Sequence, residues 1–175
     1  MSNHQSSHMT QNQPKHPPVQ EDQTSLKWSF HTFDDLSPKA LYEILQLRQA
    51  IFVVEQNCPY LDADGLDLQA LHILGRKNEE LIAYTRCFAP KILQKECVIG
   101  RVIVHSKHRH LGLGHRLMKT SEEIAQKQWA CNNFYLGAQA HLEYFYQSLG
   151  YERCGPNYDE DGIPHLPMQK IINNF

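Results

Sequence analysis

The pattern of apolar and polar positions in the first half of the chain predicts four strands and one helix. Residues 26–33 alternate apolar and polar side chains, as a half-buried strand does. Ser37 and Pro38 suit an N-cap and a first helical position, and apolar residues then recur at helical spacing to about residue 53. Three further strands are predicted at residues 71–75, 81–88 and 97–104, after a loop at 57–68.

The second half of the chain alternates helices and strands. A helix with one apolar face follows the fourth strand, and residues 134–138 form a short apolar strand. Between Leu142 and Leu149, apolar residues have the i, i+3, i+4, i+7 spacing of a helix, which Gly150 ends. Residues 151–170 predict one or two more strands around an acidic loop. This order indicates the α/β class, with a mixed sheet and helices on both faces.

Composition and charge are those of an ordinary globular protein. The 175 residues are 41% hydrophobic and carry a net charge of −2, which argues against nucleic acid as a partner. No apolar run approaches the ~20 residues of a membrane span, and no signal peptide is visible, so we expect no membrane association and a cytoplasmic location. The five cysteines are scattered without a Cys-x-x-Cys motif, as expected for reduced thiols. Residues 1–25 have few apolar groups and are expected to form a disordered tail.

A hexapeptide with two glycines, between the strand at 97–104 and the next helix, predicts an anion site. Its sequence is Arg109-His110-Leu111-Gly112-Leu113-Gly114. A helix that begins in this way leaves backbone N–H groups unpaired at the positive end of its dipole, where phosphate is the usual guest. The hexapeptide is neither a Walker loop, since no Lys-Ser or Lys-Thr follows it, nor a dinucleotide fingerprint, since Leu117 replaces the third glycine.

Four stretches in this order resemble the ElaA-type branch of the GCN5-related N-acetyltransferases. They are residues 47–56 (LRQAIFVVEQ), 99–102 (IGRV), 109–114 (RHLGLG) and 160–165 (EDGIPH). The resemblance covers nearly all of residues 26–170. It implies the fold of that family, a mixed but mostly antiparallel central sheet flanked by helices, with a single N-acetyltransferase domain over residues 26–175.

The resemblance also implies acetyl-coenzyme A as the donor and an amine as the acceptor. The pyrophosphate is expected on residues 109–114, and Tyr146 falls where the family places a tyrosine beside the coenzyme sulfur. The resemblance implies that Tyr146 donates a proton to the leaving thiolate. Its position on the apolar face of the predicted helix also fits a core aromatic residue. His110 replaces the glycine of many relatives, so a positive φ at this position would strain it. The pantetheine arm is expected to meet backbone groups of Val102, Ile103 and Val104.

The general base that deprotonates the acceptor has four candidates. An alkylammonium of pKa about 10.4 is almost fully protonated near pH 7, so a side chain or a chain of waters must relay its proton. Glu55 follows a helix, where carboxylates are usually solvated, and His72 interrupts an apolar strand, where a hydrogen-bonded structural role is the alternative. His165 lies in a loop and is equally compatible with no role. The candidates are Glu55, His72, Glu160 and His165, of which the last two are also expected to contact the acceptor.

Two arginines lie in otherwise apolar strands and require an anion. If Phe88 stands opposite Cys97 in a hairpin, Arg86 and Arg101 share one face. One interpretation is capture of an acceptor carboxylate, which predicts a small zwitterionic substrate; a one-residue shift in register would exclude it. The other interpretation is an ion pair with Glu55 or Glu160.

The acidic segment Asp62-x-Asp64-Gly65-x-Asp67 does not have the spacing of an EF-hand, because its glycine is fourth rather than sixth. We expect a solvated loop, or one that attracts a cationic acceptor.

These observations predict a cytosolic acetyl-CoA-dependent N-acetyltransferase, monomeric or homodimeric, that acts on an amine of a small molecule or peptide and needs no metal. A second hypothesis is a non-catalytic acyl-CoA-binding module of the same fold. A third is a metal-dependent hydrolase that uses His72, Glu160 and His165.

Overall fold

A single sheet organises the computed structural model of the protein, which describes residues 26–173. Its strands are β1 (Leu26–His31), β2 (Leu71–Lys77), β3 (Glu80–Phe88), β4 (Cys97–Val104), β5 (Asn133–Gln139), β6 (Glu152–Arg153), β7 (Tyr158–Glu160) and β8 (Ile163–Ile171). They are ordered β1-β2-β3-β4-β5-β8-β6, with β7 paired to β8. Only the β4–β5 pair is parallel in this part of the chain. The predicted mixed, mostly antiparallel sheet is therefore confirmed.

In the described residues three α-helices flank the sheet: α1 (Pro38–Arg48), α2 (Leu113–Trp129) and α3 (Glu143–Ser148). The predicted N-cap of α1 is confirmed, because the Ser37 hydroxyl accepts a hydrogen bond from the Ala40 N–H at 3.1 Å. α1 continues into a π-helical segment, Gln49–Glu55, which ends close to the predicted position. Gly150 follows α3 with a φ of 87°, the left-handed conformation that ends many helices.

Apolar side chains pack against both faces of the sheet. Neighbouring residues of a strand alternate between two clusters, since strand side chains have a period of two. Ile73 belongs to the cluster that includes α2, whereas the next residue, Leu74, belongs to the cluster that includes α1. Helices therefore cover both faces, as predicted.

The turns of the sheet are tighter than predicted, and the C-terminal region forms three strands rather than one or two. Asp161 and Gly162, with φ of 52° and 80°, join β7 to β8 as a two-residue hairpin turn. Asn78 and Glu79, with φ of 49° and 67°, join β2 to β3 in the same way. The Asp-Gly dipeptide is a hairpin signal that the prediction of an acidic loop overlooked.

The register between β3 and β4 differs from the predicted one. Phe88 pairs with Val98 rather than with Cys97. A β-bulge follows on β4, where Arg101 has a φ of 53°. Because the extra residue of a bulge breaks the alternation of side chains, Arg101 contacts the same carboxylate as Arg86 despite the shift.

β4 and β5 are paired only near their first residues. Cys97 lies opposite Phe134 and Val98 opposite Tyr135, and no further pair of these two strands follows. Among residues 26–173, backbone groups on the facing edge of β4 therefore have no strand partner beyond Val98. The two strands separate and leave an opening in the middle of the sheet.

Two expectations concern the tail and the membrane. The predicted disordered tail, residues 1–25, lies outside the described residues. Within residues 26–173, no helix has the length and apolar character needed to cross a bilayer.

Candidate active site

A cleft of about 1010 Å³ opens where β4 and β5 separate. The glycine turn at 109–114 and helix α3 line what we call its turn side, and the loop at 58–66 and the β7–β8 hairpin line its hairpin side. Two predicted site residues, His72 and Leu111, are absent from the lining of this cleft. The predicted residues that line it are Glu55, Arg86, Arg101, Val102, Ile103, Val104, Arg109, His110, Gly112, Leu113, Gly114, Tyr146, Glu160 and His165.

The glycine turn contains two residues in the left-handed backbone conformation, His110 and Gly112. Gly112, the N-cap residue of α2, has a φ of 70°, and a Cβ built on it would meet no atom within 4 Å, so the space beside its backbone is open. Gly114 serves a different purpose, because a Cβ there would lie 3.1 Å from the Phe145 ring on α3. His110 has a φ of 67°, so the strain expected at this departure from the family pattern is present.

An ion pair holds the first residue of the turn. Arg109 Nη2 lies 2.7 Å from Glu55 Oε1, at the end of the π-helical segment, and Arg109 Nε donates to the Val104 carbonyl at 3.2 Å. Both side chains of the pair are about two-fifths exposed, at 37% and 39%. Glu55 is therefore not the freely solvated carboxylate that its position in the sequence suggested.

Tyr146 lies on α3 and lines the cleft next to the turn. Its residue is 5% exposed, and its ring makes edge contacts with Phe145 and Tyr151 at centroid distances of 4.9 and 6.0 Å. Among residues 26–173, no group hydrogen bonds to its hydroxyl. Burial raises the pKa of Tyr146 above its ordinary value, so the phenol keeps its proton at neutral pH. The side chain is thus a packed aromatic whose residue also lines the cleft.

His72 lies in the core rather than in the cleft. Its Nδ1 is 2.8 Å from the Tyr84 hydroxyl and its Nε2 is 3.0 Å from the Asp67 carbonyl, so both ring nitrogens have partners. Burial lowers its pKa, with the charges of two nearby arginines adding to the effect. These contacts match the structural interpretation of His72. The hypothesis of a metal-dependent hydrolase requires His72 to lie beside Glu160 and His165, but those two residues line the cleft and His72 does not. Across the described part of the chain, no group of three His, Cys, Asp or Glu side chains is arranged to hold a metal.

Arg86 and Arg101 are paired with the acidic loop. Arg86 contacts both oxygens of Asp64, and its Nη1 lies 2.7 Å from Asp67 Oδ1. Arg101 Nε lies 2.7 Å from Asp62 Oδ1, and its Nη2 lies 3.4 Å from Asp64. The prediction that Glu55 or Glu160 would neutralise them is therefore wrong. It failed because the register and the bulge turn both arginines towards a loop that is distant in sequence.

Arg48 completes this network and was missed by sequence reasoning. It is fully buried, and its guanidinium contacts Asp62 and Asp67 at 2.7 Å each. Asp62 and Asp67 are themselves buried, so the expectation of a solvated loop is wrong. Burial alone would raise the pKa of Asp64, but hydrogen bonds from Arg86 and the Leu66 N–H lower it to about 2. Three arginines thus face three aspartates, which removes the argument that Arg86 and Arg101 need an acceptor carboxylate.

The β7–β8 hairpin contributes Glu160 and His165, together with an aromatic residue that sequence reasoning missed. Tyr158 stacks on His165 at a centroid distance of 5.8 Å. Burial and the nearby Glu160 carboxylate raise the pKa of Tyr158 to about 12. Cys58 Sγ donates to the Asp161 carbonyl at 3.3 Å, which joins the loop to the hairpin. The signals in the sequence were the Asp-Gly turn and the i, i+2 spacing of the two β7 residues.

A split, mostly antiparallel sheet with a glycine turn beside the split defines the class of acyl-CoA N-acyltransferases. The chain belongs to the GNAT family, because the profile of the Acetyltransferase (GNAT) domain matches residues 66–172. This membership supports acyl transfer from coenzyme A.

Individual relatives agree with this assignment and with the predicted ElaA-type branch. The Escherichia coli (strain K12) protein ElaA is 47% identical over 149 residues, which are 84% of this chain and 97% of that protein. The crystal structure of an acyl-CoA N-acyltransferase from Pseudomonas aeruginosa has a TM-score of 0.79 at 42% identity, covering 83% of this chain and 99% of the other. An aminoglycoside 6′-N-acetyltransferase complexed with coenzyme A shares the fold, with a TM-score of 0.66 at 17% identity over 84% of this chain and 98% of its own.

Proposed function

We propose that the protein transfers an acetyl group from acetyl-CoA to an amine of a small molecule or peptide. One observation carries the proposal: the protonated phenol of Tyr146 lines the same cleft as the glycine turn and the unpaired edge of β4. An anion site, backbone groups without a strand partner and a proton donor are three elements that assist acyl transfer from a thioester of coenzyme A.

The residues of the turn side suit a coenzyme A molecule. The N–H groups at the start of α2 and the open space beside Gly112 fit the pyrophosphate, with Arg109 next to them. The edge of β4 from Val102 to Val104 has no strand partner in the described residues and fits the amide groups of the pantetheine arm, although the Val104 carbonyl already accepts a hydrogen bond from Arg109 Nε. When bound, acetyl-CoA supplies an activated thioester carbonyl.

The chain's own groups then assist the exchange of bonds. The amine nitrogen forms a bond to the carbonyl carbon and the carbon–sulfur bond breaks. Backbone N–H groups of the β4 edge near the bulge stabilise the oxyanion that develops. Tyr146 donates its proton to the departing thiolate and recovers one from the nitrogen, which leaves an amide and a free thiol. The acceptor amine has lost its first proton before it attacks.

A free-thiol release assay with acetyl-CoA tests this proposal. The purified protein is offered amino acids, polyamines and peptides, and acetylated products are identified by mass spectrometry. Thiol release that depends on an amine, with a mass increase on that amine, is expected. Tight coenzyme binding without turnover on any amine would instead favour a non-catalytic acyl-CoA-binding module.

A further inference from the structure

On the hairpin side of the cleft, three aromatic and polar side chains share one face. Tyr158 and Glu160 are two apart on β7, and His165 lies directly opposite Tyr158 on β8, so all three point to the same side of the hairpin. All three line the cleft. The hairpin therefore presents a carboxylate next to a stacked pair of rings.

Gly137 on β5 makes room for this group. Its φ is not positive, so no backbone requirement explains a glycine here. A Cβ at this position would lie 2.3 Å from the Tyr158 hydroxyl, 3.7 Å from the ring carbon that bears it, and 4.0 Å from Glu160 Oε2. Of these three atoms, only the hydroxyl oxygen would clash with the Cβ. The absence of a side chain at Gly137 therefore leaves room for the Tyr158 hydroxyl beside the Glu160 carboxylate.

This seat lies where the sheet begins to split. Val98 pairs with Tyr135, and two residues further along each strand are Gly100 and Gly137. A Cβ at Gly100 would meet no atom within 4 Å, so the face of the sheet beside Gly100 is open at this level. An acceptor approaching the split from the hairpin therefore passes Tyr158 and Glu160 first.

The charge on this side of the cleft favours a cation. Each arginine that lines the cleft in the described residues is already paired: Arg86 and Arg101 with the acidic loop, and Arg109 with Glu55. Among the described residues that line the cleft, Glu160 and Asp161 are the carboxylates outside these ion pairs, and Glu160 is the one that lies beside the Tyr158 hydroxyl. An acceptor that carries a carboxylate next to its amine would bring a second negative charge to Glu160, with no unpaired arginine to receive it.

We propose that Glu160 binds the amino group of the acceptor, that Tyr158 is the positioning residue that orients Glu160, and that the acceptor is a cationic amine without a neighbouring carboxylate. This inference rests on the proposed acetyl transfer and names its substrate class. In this proposal Glu160 and Tyr158 bind and orient the acceptor and make no contact with the coenzyme.

Matched pairs of amines test the substrate class. Agmatine differs from arginine only by the absence of the carboxylate. Cadaverine differs from lysine in the same way, and for lysine only acetylation of the α-amine is counted, because its ε-amine has no neighbouring carboxylate. We expect kcat/KM to be at least about tenfold higher for each decarboxylated amine, since the like-charge contact is absent. Equal or better turnover of the amino acids would overturn the inference while leaving acetyl transfer intact. Turnover of none of the amines would overturn both.

Variants test the two residues. Glu160→Gln is expected to raise KM for cadaverine about tenfold or more, because a charged hydrogen bond is lost, with the Kd for coenzyme A unchanged. Glu152→Gln, an exposed acid on β6 outside the cleft, is the matched control and is expected to change neither constant. An unaltered KM in Glu160→Gln would overturn the assignment of Glu160.

A double-mutant cycle isolates Tyr158. Gly137→Ala alone and Tyr158→Phe alone are each expected to raise KM for cadaverine several-fold, since either change removes the hydroxyl from its seat. The double variant is expected to be no worse than Tyr158→Phe, because the clash that Gly137→Ala creates is with the hydroxyl only. Additive effects of the two changes would show that Gly137 acts otherwise and would overturn the positioning role.

Discussion

Glu55 Oε1 lies 2.7 Å from Arg109 Nη2, so the π-helical segment after α1 is joined by an ion pair to the residue expected to meet the coenzyme pyrophosphate. The two anions compete for one guanidinium. Binding of the coenzyme therefore has to replace, or share, the contact with Glu55.

Removing the charge of Glu55 is expected to strengthen coenzyme binding. Glu55→Gln keeps the length of the side chain but not its attraction for Arg109, and exposed pairs of this kind are worth up to about 1 kcal/mol, or roughly fivefold in Kd. Calorimetric titration with coenzyme A measures the change. Weaker binding in the variant would mean that Glu55 positions Arg109, and a collapse of kcat would identify Glu55 as the general base.

A negative charge in the glycine turn is expected to abolish coenzyme binding. Gly112→Asp places a carboxylate in the open space where the pyrophosphate is expected, and such like-charge contacts cost several kcal/mol, or a Kd raised about 100-fold or more. Gly112→Ala controls for the backbone, because alanine is strained at a φ of 70° but carries no charge. Equal losses in the two variants would attribute the effect to strain alone.

Loss of the Tyr146 hydroxyl is expected to slow turnover without affecting coenzyme binding. Tyr146→Phe keeps the ring contacts with Phe145 and Tyr151 and removes the proton donor, so kcat is expected to fall about 100-fold or more. Thiol release and coenzyme titration measured on one preparation separate the two effects. Unchanged kcat would contradict the role of Tyr146 as the acid.

The buried ion-pair network is expected to dominate stability on the hairpin side. Arg86→Met leaves Asp64 and Asp67 without one of their cations, and breaking a buried pair in this way costs about 3–5 kcal/mol. Arg76→Met removes a partly exposed pair with Glu43 and is expected to cost at most about 1 kcal/mol. Urea unfolding measures the free energy of unfolding of both variants. Equal losses would contradict the expectation that the buried pairs contribute more to stability than the partly exposed one.

His72 is expected to make stability depend on pH between 7 and 5. Its pKa is lowered in the folded state, so below the ordinary value of about 6.5 the unfolded chain binds a proton that the folded protein does not. The contribution of neutral His72 to the free energy of unfolding is complete above pH 6.5. It decreases as pH falls, by at most about 1.4 kcal/mol per pH unit.

His72→Gln measures this effect and the role of the residue together. The difference in free energy of unfolding between the protein and the variant is expected to narrow from pH 7 to pH 5, while kcat per folded molecule is retained. A constant difference would contradict the lowered pKa. Loss of turnover in the folded variant would return His72 to the candidates for the general base.

Local patterns were enough to predict most elements of the fold. The Ser37-Pro38 start, the alternation in the strands and the glycine turn at 109–114 depend on neighbours within a few residues, and each lies close to where it was predicted. Tyr146 was expected beside the coenzyme because of the family resemblance, since its local pattern alone also fits a core aromatic.

Contacts between segments that are distant in sequence could not be predicted from local patterns. The bulge at Arg101, the burial of Arg48 and the pairing of Arg86 with Asp64 and Asp67 depend on which loop folds over which strand. A one-residue change of register alters the partner of every side chain that follows it.

The sequence by itself determined the family, the order of the elements and the turn expected to hold the coenzyme, because these follow from local spacing and short motifs. The tertiary structure decided the distribution of charge on the hairpin side of the cleft. It pairs the arginines with aspartates of a distant loop and seats Tyr158 against Gly137 next to Glu160. Electrostatic character depends on which charges meet in space, and that is a property of the folded chain alone.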